Sequence, residues 1–149
     1  MTRLLLFLHF LGFSLWLGGS FAMMLVSIVA RREERGALRT IARIQAAIAR
    51  SVVGPGMGVT VVTGLILTFR VYGADTSPSM WLMVMQGAGL LGAIVSGAIA
   101  LPAVARLSRL DPMGENAAHF DRLRVRARMA GMTSALLALV ALVGGTMLG

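Results

Sequence analysis

Cysteine is absent from the 149 residues, which excludes disulfides, thiolate metal sites and cysteine nucleophiles. Lysine is absent too, so all fourteen basic residues are arginine, set against six acidic ones and a net charge of +8. Only 13% of the chain is charged while 57% is hydrophobic, and the mean hydropathy is +0.82. That leaves too little polar surface to coat a soluble globule, so the composition is that of an integral membrane protein. No acidic residue falls within an apolar stretch, and no serine has a histidine and carboxylate arranged around it, which argues against hydrolytic chemistry. The arginines flank apolar segments without interleaved aromatics, so they read as topology signals and no nucleic-acid partner is expected.

Four apolar stretches are present, at about 4–30, 52–69, 81–107 and 129–148, each near the ~20 residues that a spanning helix needs. The first holds 27 residues, roughly 40 Å of helix at ~1.5 Å per residue, and ends at Arg31 and Arg32. A signal peptide has a shorter apolar region and a small-residue cleavage site, so this run reads as a retained helix. The expected fold is an all-α, integral membrane four-helix bundle forming a single domain over 1–149. Twelve arginines lie in the first and third connections, and only Arg3 and Arg70 lie elsewhere. The positive-inside rule then puts those connections in the cytoplasm and both termini on the outer side.

Within the first connection, Leu38, Ile41, Ile44 and Ile48 recur at helical spacing while Arg35, Arg39 and Arg43 line another face. Segment 35–50 reads as a cationic amphipathic helix on the inner surface. Its alternative is a cytoplasmic extension of the second membrane helix, broken near Gly54-Pro55-Gly56. Val71 to Ser79 reads as a short outer turn, and Asp111-Pro112-Met113-Gly114 as a turn beside a solvated His119. The third helix carries two rows of small residues, Ala88/Gly92/Ser96/Ala100 and Gly89/Ala93/Gly97, at the spacing that lets membrane helices approach closely. These rows read as packing, either within one bundle or against another subunit or a second copy.

One constellation could carry chemistry. An ionisable side chain in hydrocarbon is expensive, and His9 interrupts the first apolar run. On a 3.6-residue period it shares a face with Gly12, Trp16, Gly19, Ser20, Met23 and Ser27. Counting inward from the outer ends places Thr63, Gly64, Thr68, Met85, Gln86, Gly144 and Gly145 at its depth. A flat tetrapyrrole between helices needs small residues where the ring lies, an imidazole for the iron and, optionally, a thioether opposite. The alternative is that His9 bonds a Thr, a Gln or a backbone carbonyl and joins helices.

The pattern Leu8-His9 followed by Trp16-Leu17-Gly18-Gly19 resembles the opening helix of the copper-resistance D family. It also resembles the bacterial HemJ-type protoporphyrinogen oxidases, four-helix membrane proteins that bind b-type haem. Pro55, Met57, Thr60, Gly64 and Leu65 are similar to the second helix of that group, and Trp81-Leu82-Met83-Val84-Met85 to the third. Met85 stands where those oxidases carry a Lys, and their Asn-Glu-x-Pro signature has no counterpart in the fourth helix. The resemblance implies haem b on His9 with Trp16 beside the site; depth matching, and the place of Met85 where the oxidases carry Lys, add Met85 as the opposite ligand, with clearance at Gly12 and Gly64. It implies a bacterial inner-membrane location.

Four functions follow from these readings: a haem-binding electron-transfer or accessory subunit, a structural subunit of a larger membrane assembly without cofactor, copper handling, and porphyrinogen oxidation. Eleven methionines, among them Met80/Met83/Met85 and Met129/Met132, motivate the copper reading, because thioethers suit Cu(I).

Overall fold

The computed structural model describes residues 1–71 and 79–148, and these are helical with short connections and no strand. The expected turn over Val71 to Ser79 and the final glycine lie outside the described residues, apart from Val71, which ends a helix, and Ser79. Helix α1 runs Thr2–Val29, α2 Ala37–Ile48, α3 Gly54–Val71, α4 Met80–Val95, α5 Leu101–Leu107 and α6 Ala117–Thr146. Four continuous helical stretches are long and apolar enough to cross a membrane: Thr2–Val29, Ala37–Arg70, Met80–Leu107 and Gly114–Thr146. Large apolar side chains such as Phe7, Phe10, Leu25, Leu65 and Leu136 are exposed, which suits a hydrocarbon surrounding rather than water.

Segment Ala37–Ile48 is helical and amphipathic, but it runs into α3 instead of lying apart on a surface. The junction is a π-helical turn, Ala49–Val53, in which the Gly54 amide bonds the Ala49 carbonyl. Pro55 follows directly. A proline inside an α-helix lacks its donor and crowds the carbonyl four residues back, and a widened turn relieves both faults. The same device joins α4 to α5: the π turn Ser96–Ala100 is followed by Pro102. Gly54-Pro55-Gly56 therefore bends the hydrogen-bond ladder without ending the helix.

The helices pack as two pairs, α1 along α3 and α4 along α6, with α2 and α5 closing the arginine-rich end. The apolar face of α2 supplies Leu38 and Ala42 to a core with Ala30, Leu107, Phe120 and Leu123. At the centre Trp16, 1% exposed, joins both pairs by packing with Val53, Ala93 and Ala138. The α1–α3 crossing is tight. A Cβ added at Gly12 would stand 2.8 Å from the Gly56 carbonyl oxygen, and one at Gly56 would stand 2.8 Å from the Gly12 oxygen and the Trp16 nitrogen. The row Ala88/Gly92/Ser96/Ala100 is buried, and Gly92 lets α4 approach Ser134 and Leu137 of α6, so this row packs within the chain.

Between α5 and α6, the Asp111 carboxylate accepts the Met113 amide at 3.0 Å, and Gly114 takes φ +67°, a left-handed conformation open to glycine. Arg35 ties this turn to the α2 side, donating to the Pro112 carbonyl at 3.1 Å and pairing with Asp121 at 2.9 Å. His119 is exposed beside it.

Candidate functional site

His9 sits on the α1–α3 seam, half-buried, with its ring seated in the space left by Gly64. A Cβ at Gly64 would meet the His9 Cε1 at 3.0 Å. Its Nδ1 lies 3.0 Å from the Thr60 carbonyl oxygen and 3.1 Å from Thr63 Oγ1. The Thr63 hydroxyl donates its own proton to the Val59 carbonyl at 2.6 Å, so both partners of Nδ1 are acceptors. The network therefore assigns the proton to Nδ1, which donates to α3 and leaves a lone pair on Nε2. A backbone carbonyl that accepts from one ring nitrogen, fixing ring and tautomer, is the usual support behind a metal-bound imidazole.

The other residues at that depth divide into two groups. Thr68 and Gln86 join α3 to α4 by a 2.8 Å bond in which the Gln86 amide donates. Met85, on α4, packs against α6: a Cβ at Gly144 would meet its backbone at 3.0 Å, and one at Gly145 would meet its sulfur at 3.3 Å. His9 is thus brought together with Gly64, and Met85 with Gly144 and Gly145, while no described hydrogen bond links the two. Gly12 and Trp16 are buried on the His9 face of α1, Gly12 against the α3 backbone and Trp16 in the core. Trp16 Nε1 has no hydrogen-bond partner among the described residues. Met80, Met83, Met129 and Met132 are exposed.

Depth counting found Thr63 and Gly64 but not Thr60, which entered only through the likeness of the second helix and which bonds His9 by a main-chain carbonyl that leaves no side-chain signal. It also passed over Gln45, which is 8% exposed. Its amide donates from α2 to the Met23 carbonyl at 3.1 Å and to Ser27 Oγ at 2.8 Å. A lone Gln opposite a Ser-bearing helix face was the available hint.

The described residues define an all-helical fold with four membrane-long helices and an imidazole held in one tautomer on the α1–α3 seam. Comparison with known protein families, curated proteins and solved structures finds no match for this chain.

The residues fit a haem in one respect only. His9 offers Nε2 to an iron. The glycine clearances are filled by protein, Gly12 by α3 and Gly64 by the His9 ring itself, and the Met85 sulfur is packed on α6. Two clefts are found near the arginine end, and neither is lined by His9, Trp16 or Met85.

Proposed function

We propose that this chain is an integral membrane protein, oriented with its arginine-rich end in the cytoplasm and both termini outside, that carries a b-type haem on His9 for electron transfer or as an accessory subunit. One observation supports it above the others: Nδ1 is committed to Thr60 and Thr63 of α3, which leaves Nε2 unprotonated and aimed away from its only described partners. Haem, when bound, supplies one-electron redox chemistry. The chain's contribution is to hold the imidazole in a single tautomer through its bonds to α3. Since Gly12 and Gly64 are closed by protein atoms, His9 is the residue that would hold the group, and Met85, packed against Gly144 and Gly145, would join it only after a rearrangement of α4. A bacterial inner membrane is the location this reading carries.

A visible spectrum of the detergent-purified protein, oxidised and dithionite-reduced, tests it. His9→Ala is expected to abolish the haem band. Full haem retention in that variant overturns the site. Met85→Ala should retain haem with a lower reduction potential if the thioether is a ligand, and an unchanged potential removes Met85 from the ligand set.

The second reading is a structural subunit without cofactor, favoured by the same His9 bond, which already joins α1 to α3. A spectrum without haem, from cells supplied with haem, selects it. Copper handling and porphyrinogen oxidation have weaker support, because the paired methionines are exposed and Met85 occupies the Lys position.

A further inference from the structure

The two helix pairs part on the α1–α6 side at the arginine end, leaving a groove floored by the second π turn. Arg124 and Arg128 stand at its mouth, and neither makes an ion pair among the described residues. The Arg31, Arg35 and Arg128 charges act on Arg124, while Asp121, the carboxylate acting there among the described residues, is paired with Arg35 at 2.9 Å. A cluster of guanidiniums with a single committed acid attracts an anion.

Below the mouth, the walls are Phe21 and Met24 of α1 and Met132 and Ala135 of α6. Two of the deeper hydroxyls are withdrawn into backbone bonds, Ser20 to the Trp16 carbonyl at 2.8 Å and Ser134 to the Gly92 carbonyl at 3.0 Å, while Ser96 lies in the floor. What remains facing the groove there is mainly hydrocarbon. The groove is partly open and its cavity is small, about 60 Å³, so an occupant lies along it with one side to the bilayer. From Arg124 to Ala135 the α6 axis rises roughly 16 Å at ~1.5 Å per residue, which is about half the ~30 Å apolar thickness of a bilayer. Near the mouth, the Gln45 and Ser27 pair forms a polar shelf. Cations at the surface, polar groups just below and an apolar trough one leaflet deep follow the polarity profile of a phospholipid.

We infer that this groove binds one anionic phospholipid, its headgroup phosphate on Arg124 and Arg128 and an acyl chain between α1 and α6. The site is separate from His9 and holds whether or not haem is bound. It differs from the second cleft, where Arg106 and Arg126 border Ala98, Ile99 and Pro102 and no buried amide or hydroxyl lines the wall.

Native mass spectrometry of the full chain in neutral detergent, titrated with dioleoyl phosphatidylglycerol or dioleoyl phosphatidylcholine, tests the assignment. Phosphatidylglycerol should bind at a stoichiometry of one and at concentrations at least tenfold lower than phosphatidylcholine. A juxtamembrane basic residue contributes about 1 kcal/mol to anionic-lipid binding, so Arg124→Gln with Arg128→Gln should weaken phosphatidylglycerol roughly 30-fold. The matched pair Arg106→Gln with Arg126→Gln should change it less than threefold. A Cβ at Gly131, on the α6 wall, meets nothing within 4 Å, so a side chain there starts in open space; Gly131→Phe, with its fold checked by circular dichroism, should fill the trough and remove the bound lipid with the charges intact. Equal binding of the two lipids, or equal losses in the two arginine pairs, overturns the site. Displacement of the lipid by millimolar inorganic phosphate also overturns it, in favour of a free-anion site.

Discussion

Replacing Gly12 by Ala adds one methyl group where α1 and α3 touch backbone to backbone. That methyl would stand 2.8 Å from the Gly56 oxygen, 2.9 Å from Thr60 Oγ1 and 3.0 Å from the Thr60 nitrogen. None of these is the free end of a flexible side chain, since the Thr60 hydroxyl is itself held to the Gly56 carbonyl at 2.8 Å. The helices must separate, and overpacking of this kind costs about 1–3 kcal/mol. Ala also favours helix over Gly by roughly 1 kcal/mol, which hides part of the loss. Gly18→Ala isolates that gain, because a Cβ at Gly18 meets nothing within 4 Å. Subtracting one variant from the other cancels the helical preference and leaves the overpacking contribution, about 1–3 kcal/mol in favour of Gly18→Ala. Reversible unfolding in mixed micelles by titrated sodium dodecyl sulfate, followed by tryptophan fluorescence, measures the difference. Equal stabilities within about 0.5 kcal/mol would falsify the backbone-to-backbone crossing. Gly56→Ala serves as a second, independent reading of the same contact, with its Cβ 2.8 Å from the Trp16 nitrogen.

Gln45→Leu removes two amide bonds to α1, and interhelical bonds in membrane proteins average about 0.6 kcal/mol, so a loss near 1 kcal/mol is expected in the same unfolding assay. Trp16→Phe deletes a buried donor that has no partner among the described residues and should lower stability by less than about 1 kcal/mol, far below the ~3–5 kcal/mol of Trp16→Ala; a loss as large as that of Ala overturns the reading of an unpartnered Nε1. Thr63→Val keeps the shape of α3 but withdraws one acceptor from His9, so any haem spectrum should shift while the Thr60 bond holds the ring. Reporter fusions after Arg43 and after Gly149 should report the inside and the outside respectively, and a cytoplasmic signal after Gly149 refutes the orientation.

The four long apolar helices were legible because length and composition enough to cross a membrane are written directly in the sequence. The face of α1 bearing His9, Gly12 and Trp16 was legible from the 3.6-residue period, and depth counting put Thr63 and Gly64 opposite. Continuity through Gly54-Pro55-Gly56 was not legible, because local propensity reads that triplet as a break. Packing on both sides, with Val53 and Trp16 in one core and Leu38 with Phe120 in another, overrides it. The lipid groove had no linear signature at all: Phe21, Gln45, Ser96 and Arg128 meet only once the two helix pairs part.

A π turn is an α-helix carrying one surplus residue, and that has a consequence for insertions and deletions in this gene. Each residue of an α-helix advances the side chains by about 100°. Deleting a residue from the middle of α3 or α4 therefore rotates everything beyond it off its partner. Deleting one residue from Ala49–Val53 or from Ser96–Ala100 instead closes the wide turn to an ordinary one and keeps both flanks in phase. Pro55 or Pro102 would then face the carbonyl four residues back, so such a deletion is tolerated together with Pro→Ala at the same junction. Natural length variation within these helices should accordingly concentrate at two places, and each should arrive with the loss of its proline.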